Sequence, residues 1–302
     1  MADHRQTVGV AGGFVQGGGH GPWTTLKGFA ADTALQFSVV TAGGDKIVAD
    51  ASNNSDLFWA LKGGGSSAYA VILSATFETM LDPPSAGMTL YINGTHTQNS
   101  TLFWEGSRLF HKYSNHFVKN GLYVYYELGD QFLSVRPFVA INQTAAALGK
   151  IVQPLSDELK AIGLPYETMT KEYNTFFDLF TDLFEDEGAG ISSLTGGWTF
   201  SQQDVQTNND GIIMAYQNAV RIGGFLVGHI WDAGHGLPES KWANSAVNPR
   251  FRRSSDSIIS SVALSGAASL AEKTEAQHKL TYEIDQLLRE AGPDGCAYVN
   301  EV

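Results

Sequence analysis

Residues 7–21 read TVGVAGGFVQGGGHG, and residues 56–65 read DLFWALKGGG. Both stretches carry clusters of glycine, a residue that lacks a Cβ, tolerates positive φ angles and lets the backbone approach a ligand closely. Two β-like runs, at 35–42 and 46–49, and a helix-like run at 56–62 lie between the clusters. The glycines are therefore embedded in regular structure, and we do not interpret them as a flexible linker.

Residues 63–68, GGGSSA, match the dinucleotide fingerprint G-x-G-x-x-A in letters alone. That fingerprint follows a strand and opens a helix. Here a predicted helix precedes it, and the apolar run 70–77, predicted to be a buried strand, follows it. The inverted order excludes a nicotinamide site, and no Gly-Lys-Ser/Thr sequence at the spacing of a Walker loop occurs.

Taken together, the fixed positions of this stretch resemble the second half of the FAD-binding domain of berberine-bridge-enzyme-like FAD-linked oxidases. The positions that carry the resemblance are Thr7–Val10, Gly12, Gly17–Gly21, Gly28–Asp32 and Asp56–Gly65. The resemblance implies a partial PCMH-type FAD-binding domain and FAD as the cofactor. More loosely, V-N-P-x-x-R at 247–252 and Y-x-N-E at 298–301 are typical of fungal members.

The resemblance also implies segments that lie outside this sequence. Family members carry a further segment before the T-V-G motif, with the covalent flavin histidine, and another after the closing motif, so we expect a chain truncated at both ends. Arg5 stands where bicovalent members have a cysteine, and it cannot form a thioether. Ser66, Ser67 and Ala70 replace glycines of the family pattern.

Composition restricts the possible functions of the 302-residue chain. The formal net charge is -12, which argues against nucleic-acid binding because phosphate contacts need clustered Lys and Arg. No apolar stretch of roughly 18 residues could span a membrane. The single cysteine, Cys296, excludes an intramolecular disulfide. A small molecule is the expected partner, while the oligomeric state is left open.

The cellular location is also left open by the sequence. The start MADHRQTVGV lacks the features of a secretion signal, although the resembled family is often secreted. N-x-Ser/Thr sequons, which act only in the secretory route, occur at Asn53, Asn93, Asn99 and Asn142.

Pro83-Pro84 marks the expected boundary between a flavin-domain fragment, residues 1–82, and a substrate domain, residues 83–302. Strands grouped with helices, rather than alternating strictly with them, predict an α+β fold with an antiparallel sheet covered by helices. The predicted strands are 88–92, 122–126, 132–141, 224–231 and 258–264. The predicted helices are 101–117, 144–162 with a break at Pro154, 173–187, 210–222 and 270–291, with a loop at 188–209.

The resemblance indicates which residues would contact FAD. The candidates are Val8, Gly12, Gly18, Gly19, His20, Gly21 and Asp32. His20 could bond a flavin carbonyl or phosphate, or could be a structural histidine. Tyr298 is the candidate catalytic base, a role that needs a strongly lowered pKa, and a packed tyrosine with a bonded hydroxyl is the alternative.

Other groups of chemically active residues are interpreted as structural. His111 and His116, five apart on a predicted helix, do not share a face for metal binding, and we expect them at the surface. The acidic residues Asp182, Glu185, Asp186 and Glu187 suggest a solvated helix end. Arg250, Arg252 and Arg253 could pair with carboxylates or hold substrate, and we favour the pairing. No metal site is predicted.

Two hypotheses follow for function. The first is an FAD-linked oxidoreductase that oxidises a small organic substrate, an alcohol, amine or activated carbon, with O2 as acceptor, in fungal secondary metabolism. The second is a truncated relative that no longer binds FAD and serves as a binding or auxiliary protein, or that derives from a broken reading frame.

Overall fold

A computed structural model describes residues 8–66, 68–97, 99–184 and 192–301. Arg5, Thr7, Ser67 and the acidic residues at 185–187 lie outside the described residues. The described strands are β1 (Ala34–Val40), β2 (Lys46–Asp50), β3 (Val71–Phe77), β4 (Ser85–Asn93), β5 (Tyr123–Leu128), β6 (Phe132–Ile141), β7 (Glu167–Tyr173), β8 (Ser193–Ser201), β9 (Phe225–Ile230) and β10 (Ser254–Ala263).

The helices lie mainly between and after these strands. The α-helices are α1 (Thr24–Lys27), α2 (Ser55–Leu61), α3 (Gly94–Thr97), α4 (Ser100–Lys112), α5 (Ser114–Lys119), α6 (Ala145–Ala161), α7 (Phe176–Leu183), α8 (Gln202–Arg221), α9 (Leu270–His278) and α10 (Asp285–Ala291). π-helical segments span Val10–Phe14 and Lys279–Ile284, and 3-10 turns span Ala30–Thr33, Glu239–Asn244 and Pro249–Arg253. Helices packed on antiparallel sheets confirm the predicted α+β class. Among the described residues, every helix is too short or too polar to cross a bilayer.

A three-stranded antiparallel sheet follows the first glycine cluster, in the order β2-β1-β3. The predicted turn at 43–45 joins β1 to β2, and Phe37 of β1 lies opposite Ala49 and Ala75 on the buried face. The strands predicted at 35–42 and 46–49 are thus confirmed as β1 and β2.

Strand β3 corrects one prediction, because it is not buried. Val71 is 67% exposed and Leu73 is 51% exposed. Among the described strands, β3 pairs with β1 alone and forms an edge of the sheet, so its apolar composition reflects β propensity rather than burial on both faces.

A seven-stranded antiparallel sheet, in the order β7-β4-β6-β5-β9-β10-β8, forms the larger layer. Successive side chains of β5 point to opposite faces. Val124 and Tyr126 pack into a core with the α4, α6 and α8 helices, whereas Tyr123 and Tyr125 join a second core that contains Phe29 and Phe37. The boundary predicted at Pro83-Pro84 falls between the two sheets, yet this second core draws on residues from both sides of it.

The predicted loop at 188–209 is wrong for its described part. Residues 193–201 form β8, and α8 begins at Gln202 with a capping box between Ser201 and Asp204. Gly196 and Gly197 caused the misassignment. A Cβ on Gly196 would meet the Asp285 carboxyl group, and one on Gly197 would meet the Ile258 carbonyl oxygen, so these glycines permit close packing inside a strand.

Two helix predictions also need correction. The α6 helix passes through Pro154 without a break, giving up one backbone hydrogen bond instead. Tyr173 ends β7 rather than opening a helix, and α7 begins at Phe176 after Thr175, whose hydroxyl caps the Asp178 amide.

Candidate functional site

The two glycine clusters, separated in sequence by more than forty residues, touch in the fold. The Gly65 amide donates to the Gln16 carbonyl oxygen at 2.9 Å, and the Ser66 hydroxyl donates to the Gly13 carbonyl oxygen at 3.0 Å. Ser66, which replaces a family glycine, thus contributes a bond that glycine could not make. The segment predicted to contact the cofactor and the second cluster form one continuous surface.

Gly18 and Gly19 are required by the protein's own backbone. Their φ angles are 118° and 79°, in the region that favours glycine. A Cβ on Gly19 would lie 2.7 Å from the Phe14 ring and 2.8 Å from the Ala30 methyl group. These glycines therefore have a structural reason to be present, whether or not a cofactor approaches them.

Gly12 differs from Gly19 because its surroundings are open. A Cβ built there meets no atom of residues 8–66, 68–97, 99–184 or 192–301 within 4 Å, and the same is true at Gly65. Val8 is partly buried two residues before the π-helical segment that contains Gly12, and Gly21 opens the turn before α1, where its amide donates to the Thr24 hydroxyl. Within the described residues, no close contact requires a glycine at position 12.

Asp32 is engaged by the protein itself. Its Oδ2 and Oδ1 atoms accept from the two terminal guanidinium nitrogens of Arg252 at 2.6 and 2.8 Å, and the Phe29 amide donates to Oδ2. Both side chains of the ion pair are almost fully buried. The structural role that we favoured for Arg252 is confirmed, and Asp32, a candidate cofactor contact, serves this pair in the described structure.

Tyr298 reaches back from the end of the described chain to the glycine segment. Its hydroxyl accepts from the Gly19 amide and from the Asn300 side-chain nitrogen, both at 2.8 Å. Burial, with the nearby Glu301 carboxylate, raises the pKa of Tyr298 above its ordinary value. A base needs the opposite shift, so the geometry matches the alternative of a packed tyrosine with a bonded hydroxyl.

His20 is the centre of a compact group formed with His229, Trp231 and Tyr298, which we call the His20 cluster. The His20 ring stacks on Trp231 at 5.5 Å between centroids and meets His229 edge-on at 4.9 Å. Its Nε2 atom lies 2.7 Å from Glu301 Oε1. His20, β9 and the closing Y-x-N-E motif thus converge on one point.

His229, Trp231 and Glu301 are the residues that sequence reasoning missed. Ser257 of β10 and Tyr125 of β5 flank His229 in the sheet, and the Tyr125 ring packs against it at 5.2 Å. Nothing in the sequence links it to His20, which lies 209 positions away. A lone histidine inside the apolar run FLVGHIW was the one available signal.

His111 corrects the prediction of a surface residue. It is 1% exposed, and its Nε2 atom lies 2.9 Å from the Oδ2 atom of buried Asp256. The hydroxyls of Tyr126 and Tyr216 donate to the same oxygen at 2.8 and 2.7 Å. This group lies inside the core of the larger layer and is separate from the His20 cluster.

The chain's residues fit an FAD cofactor at some positions and not at others. Gly12 and Gly65 leave open space beside the backbone, and the buried Trp231 Nε1 atom has no hydrogen-bond partner among the described residues. The Gly19 amide and the Asp32 carboxylate, in contrast, are already bonded. The open face of the glycine segment is therefore the part that could hold the cofactor.

No family model matches the chain. It is 31% identical over 248 residues to the FAD-linked oxidoreductase sor8 of Hypocrea jecorina, an alignment that covers 82% of this chain and 42% of sor8. Among solved structures, the VAO-type flavoprotein MtVAO615 of Myceliophthora thermophila C1 superposes with a TM-score of 0.89 at 24% identity, over 99% of this chain and 55% of that one.

A single-residue variant of berberine bridge enzyme superposes with a TM-score of 0.69 at 17% identity, over 100% of this chain and 60% of that one. The chain thus spans about half the length of the proteins that it matches. On its sequence similarity to fungal relatives, this chain belongs to the FAD-linked oxidoreductase family, and it shares its fold with VAO-type and berberine-bridge-enzyme-like flavoproteins.

Proposed function

We propose that this chain is the portion of an FAD-linked oxidase that carries the substrate-facing sheet and one side of the flavin site. The proposed reaction oxidises a small organic substrate, an alcohol, amine or activated carbon, with O2 as acceptor, in fungal secondary metabolism. The observation that carries the proposal is Gly12, which lies in the family motif and where an added Cβ would meet no atom of the described residues within 4 Å.

FAD, when bound, would supply the redox chemistry: it would accept a hydride from the substrate, and O2 would then reoxidise it. The chain's own residues would line its position. Gly12 is exposed and Val8 is partly exposed, and Gly18 and Gly19 hold the turn that places His20. Tyr298 is the candidate base of this proposal, but burial raises its pKa and keeps the hydroxyl protonated, so it would act as a base only if a neighbouring positive charge lowered that pKa.

FAD binding can be measured directly. Purified protein is titrated with FAD and followed by flavin fluorescence and visible absorption, comparing wild type with Gly12→Leu. We expect wild type to bind and the variant to bind at least tenfold more weakly, because a leucine side chain would fill the open space. Leu270→Ala is the control, because Leu270 is highly exposed and distant in sequence from Gly12, so this variant should bind FAD as wild type does.

A second candidate function rests on two predicted cofactor contacts whose polar groups are already bonded to other residues of the chain. The Gly19 amide bonds Tyr298, and Asp32 bonds Arg252, so two candidate cofactor contacts are satisfied within the chain. This favours a binding or auxiliary protein without FAD. Folded wild-type protein that takes up no added FAD would overturn the oxidase proposal for this chain and leave the auxiliary role.

A further inference from the structure

We propose that His20, His229 and Glu301 form a binding site for a divalent transition-metal ion, and that Zn²⁺ is the ion that this donor set fits best. One ligand atom from each residue lies within 4.8 Å of the other two. The proposal stands apart from the oxidase function, since none of its steps requires FAD.

The donor set is one that zinc uses in proteins. Two imidazole nitrogens and one carboxylate oxygen leave a fourth position for water or another ligand, the arrangement of open zinc sites. Bonds of about 2.0–2.2 Å to a tetrahedral ion separate the ligand atoms by about 3.3 Å. The observed spacings, 2.7 Å for His20 and Glu301 and at most 4.8 Å overall, bracket that value, so small side-chain rotations suffice.

Each ligand comes from a different segment of the fold. His20 follows Gly19, whose positive φ fixes the turn, and its ring is stacked against Trp231. His229 lies inside β9, hydrogen-bonded between β5 and β10. Glu301 closes a turn in which its amide donates to the Tyr298 carbonyl oxygen at 3.0 Å. Ligands that are already oriented lose little conformational freedom on binding an ion.

Burial and charge also favour a cation at this point. The two histidines are buried, whereas the Glu301 side chain is 21% exposed and offers a route from solvent. A buried site of low dielectric strengthens the attraction between a divalent ion and the Glu301 carboxylate. The net charge of -12 adds a long-range attraction for cations.

The test measures metal binding in the chain without added FAD. Protein with its affinity tag removed is stripped with chelator and titrated with Zn²⁺ by calorimetry, and Co²⁺ is added to a second sample to record visible d–d absorption. We expect one equivalent of Zn²⁺ per chain, Co²⁺ bands of the intensity typical of four- or five-coordinate sites, and a higher unfolding temperature with Zn²⁺.

The variants identify the ligands. Glu301→Gln keeps the size of the side chain at a partly exposed site, and we expect at least a tenfold weaker affinity for Zn²⁺ with the fold retained. His229→Asn tests a buried ligand, and circular dichroism reports whether that variant folds. His278→Ala is the matched control, because His278 is an exposed histidine 3.8 Å from a carboxylate, Glu283.

The outcomes distinguish a metal site from a His20–Glu301 hydrogen bond that binds no ion. Loss of Zn²⁺ binding in Glu301→Gln with full binding in His278→Ala supports the site. Absence of stoichiometric binding in wild type, or unchanged affinity in folded Glu301→Gln, overturns it. Neither result bears on FAD uptake, which the separate titration measures.

Discussion

Asp32 and Arg252, 220 positions apart in the sequence, form a buried two-pronged ion pair with N···O distances of 2.6 and 2.8 Å. The pair joins the 3-10 turn after the first glycine cluster to the turn before β10. Removing one partner leaves the other charge buried without its counterion, which costs about 3–5 kcal/mol. We therefore expect Arg252→Met to lower the free energy of unfolding by that amount, measured by urea denaturation.

Two comparisons make that prediction specific. Arg253→Met removes an exposed arginine 3.7 Å from Glu239, and we expect a change of at most about 1 kcal/mol. The double variant Asp32→Leu with Arg252→Met should be more stable than Arg252→Met alone, because no unpaired charge is left. If Arg252→Met and Arg253→Met lower the free energy of unfolding equally, the buried ion pair does not stabilise the fold more than an exposed one does.

Gly19 and Gly12 should respond differently to the same substitution. Gly19→Ala places a methyl group against Phe14 and Ala30 at a positive φ angle, which costs about 1–2 kcal/mol for the backbone alone. The added methyl group of Gly12→Ala meets no atom of the part of the chain that the structure describes, and we expect little change in stability. Thermal unfolding of the two variants measures the difference, and a large loss for Gly12→Ala would contradict the assignment of its open surroundings.

The Asp256 group in the larger layer gives a third prediction. Tyr216→Phe removes a 2.7 Å hydrogen bond to the buried Asp256 Oδ2 atom. Leaving a buried polar group less satisfied costs about 1–3 kcal/mol, so we expect a loss of that size in urea unfolding. Tyr166→Phe is the control, because its hydroxyl makes only a 3.5 Å contact with Ser156. A loss in Tyr166→Phe as large as in Tyr216→Phe would count against a special role for Asp256.

The free energy of unfolding should fall in alkaline solution, because a buried tyrosine ionises less readily in the folded chain than in the unfolded chain. Burial raises the pKa of Tyr298 in the folded chain, whereas in the unfolded chain it titrates near its ordinary value of about 10. The unfolded state therefore loses its proton first, so the stabilisation is complete below pH of about 10 and declines as pH rises toward the folded-state value. Unfolding free energies measured across this range should show the decline.

Tyr298→Phe removes one of the groups responsible for that decline. We expect the variant to be less stable at neutral pH, since the Gly19 amide loses its acceptor, but to lose stability less steeply above pH of about 10. The exposed Tyr282→Phe should follow the wild-type curve. A Tyr298→Phe curve parallel to wild type would mean that Tyr298 ionises normally in the folded chain.

Local patterns were sufficient for the elements whose structure depends on neighbours in the chain. The β-like runs at 35–42 and 46–49, with the turn between them, predicted β1 and β2, and the glycine clusters with the DLFWAL run identified the family. Predictions were wrong where distant packing overrides local propensity. Gly196 and Gly197 looked like a loop but allow strand β8 to lie close to the Ile258 carbonyl and the Asp285 side chain, and His111 looked exposed but turns toward Asp256.

The sequence alone determined the fold class, the family and the segment in which a cofactor contact is expected, because hydrophobic periodicity and motif spacing are properties of adjacent residues. Tertiary structure alone decided which side chains meet. Asp32 pairs with Arg252, and His20 meets His229 and Glu301, through contacts that span more than 200 positions. Such contacts arise from the stacking of sheets and the return of the chain end, which no local pattern encodes.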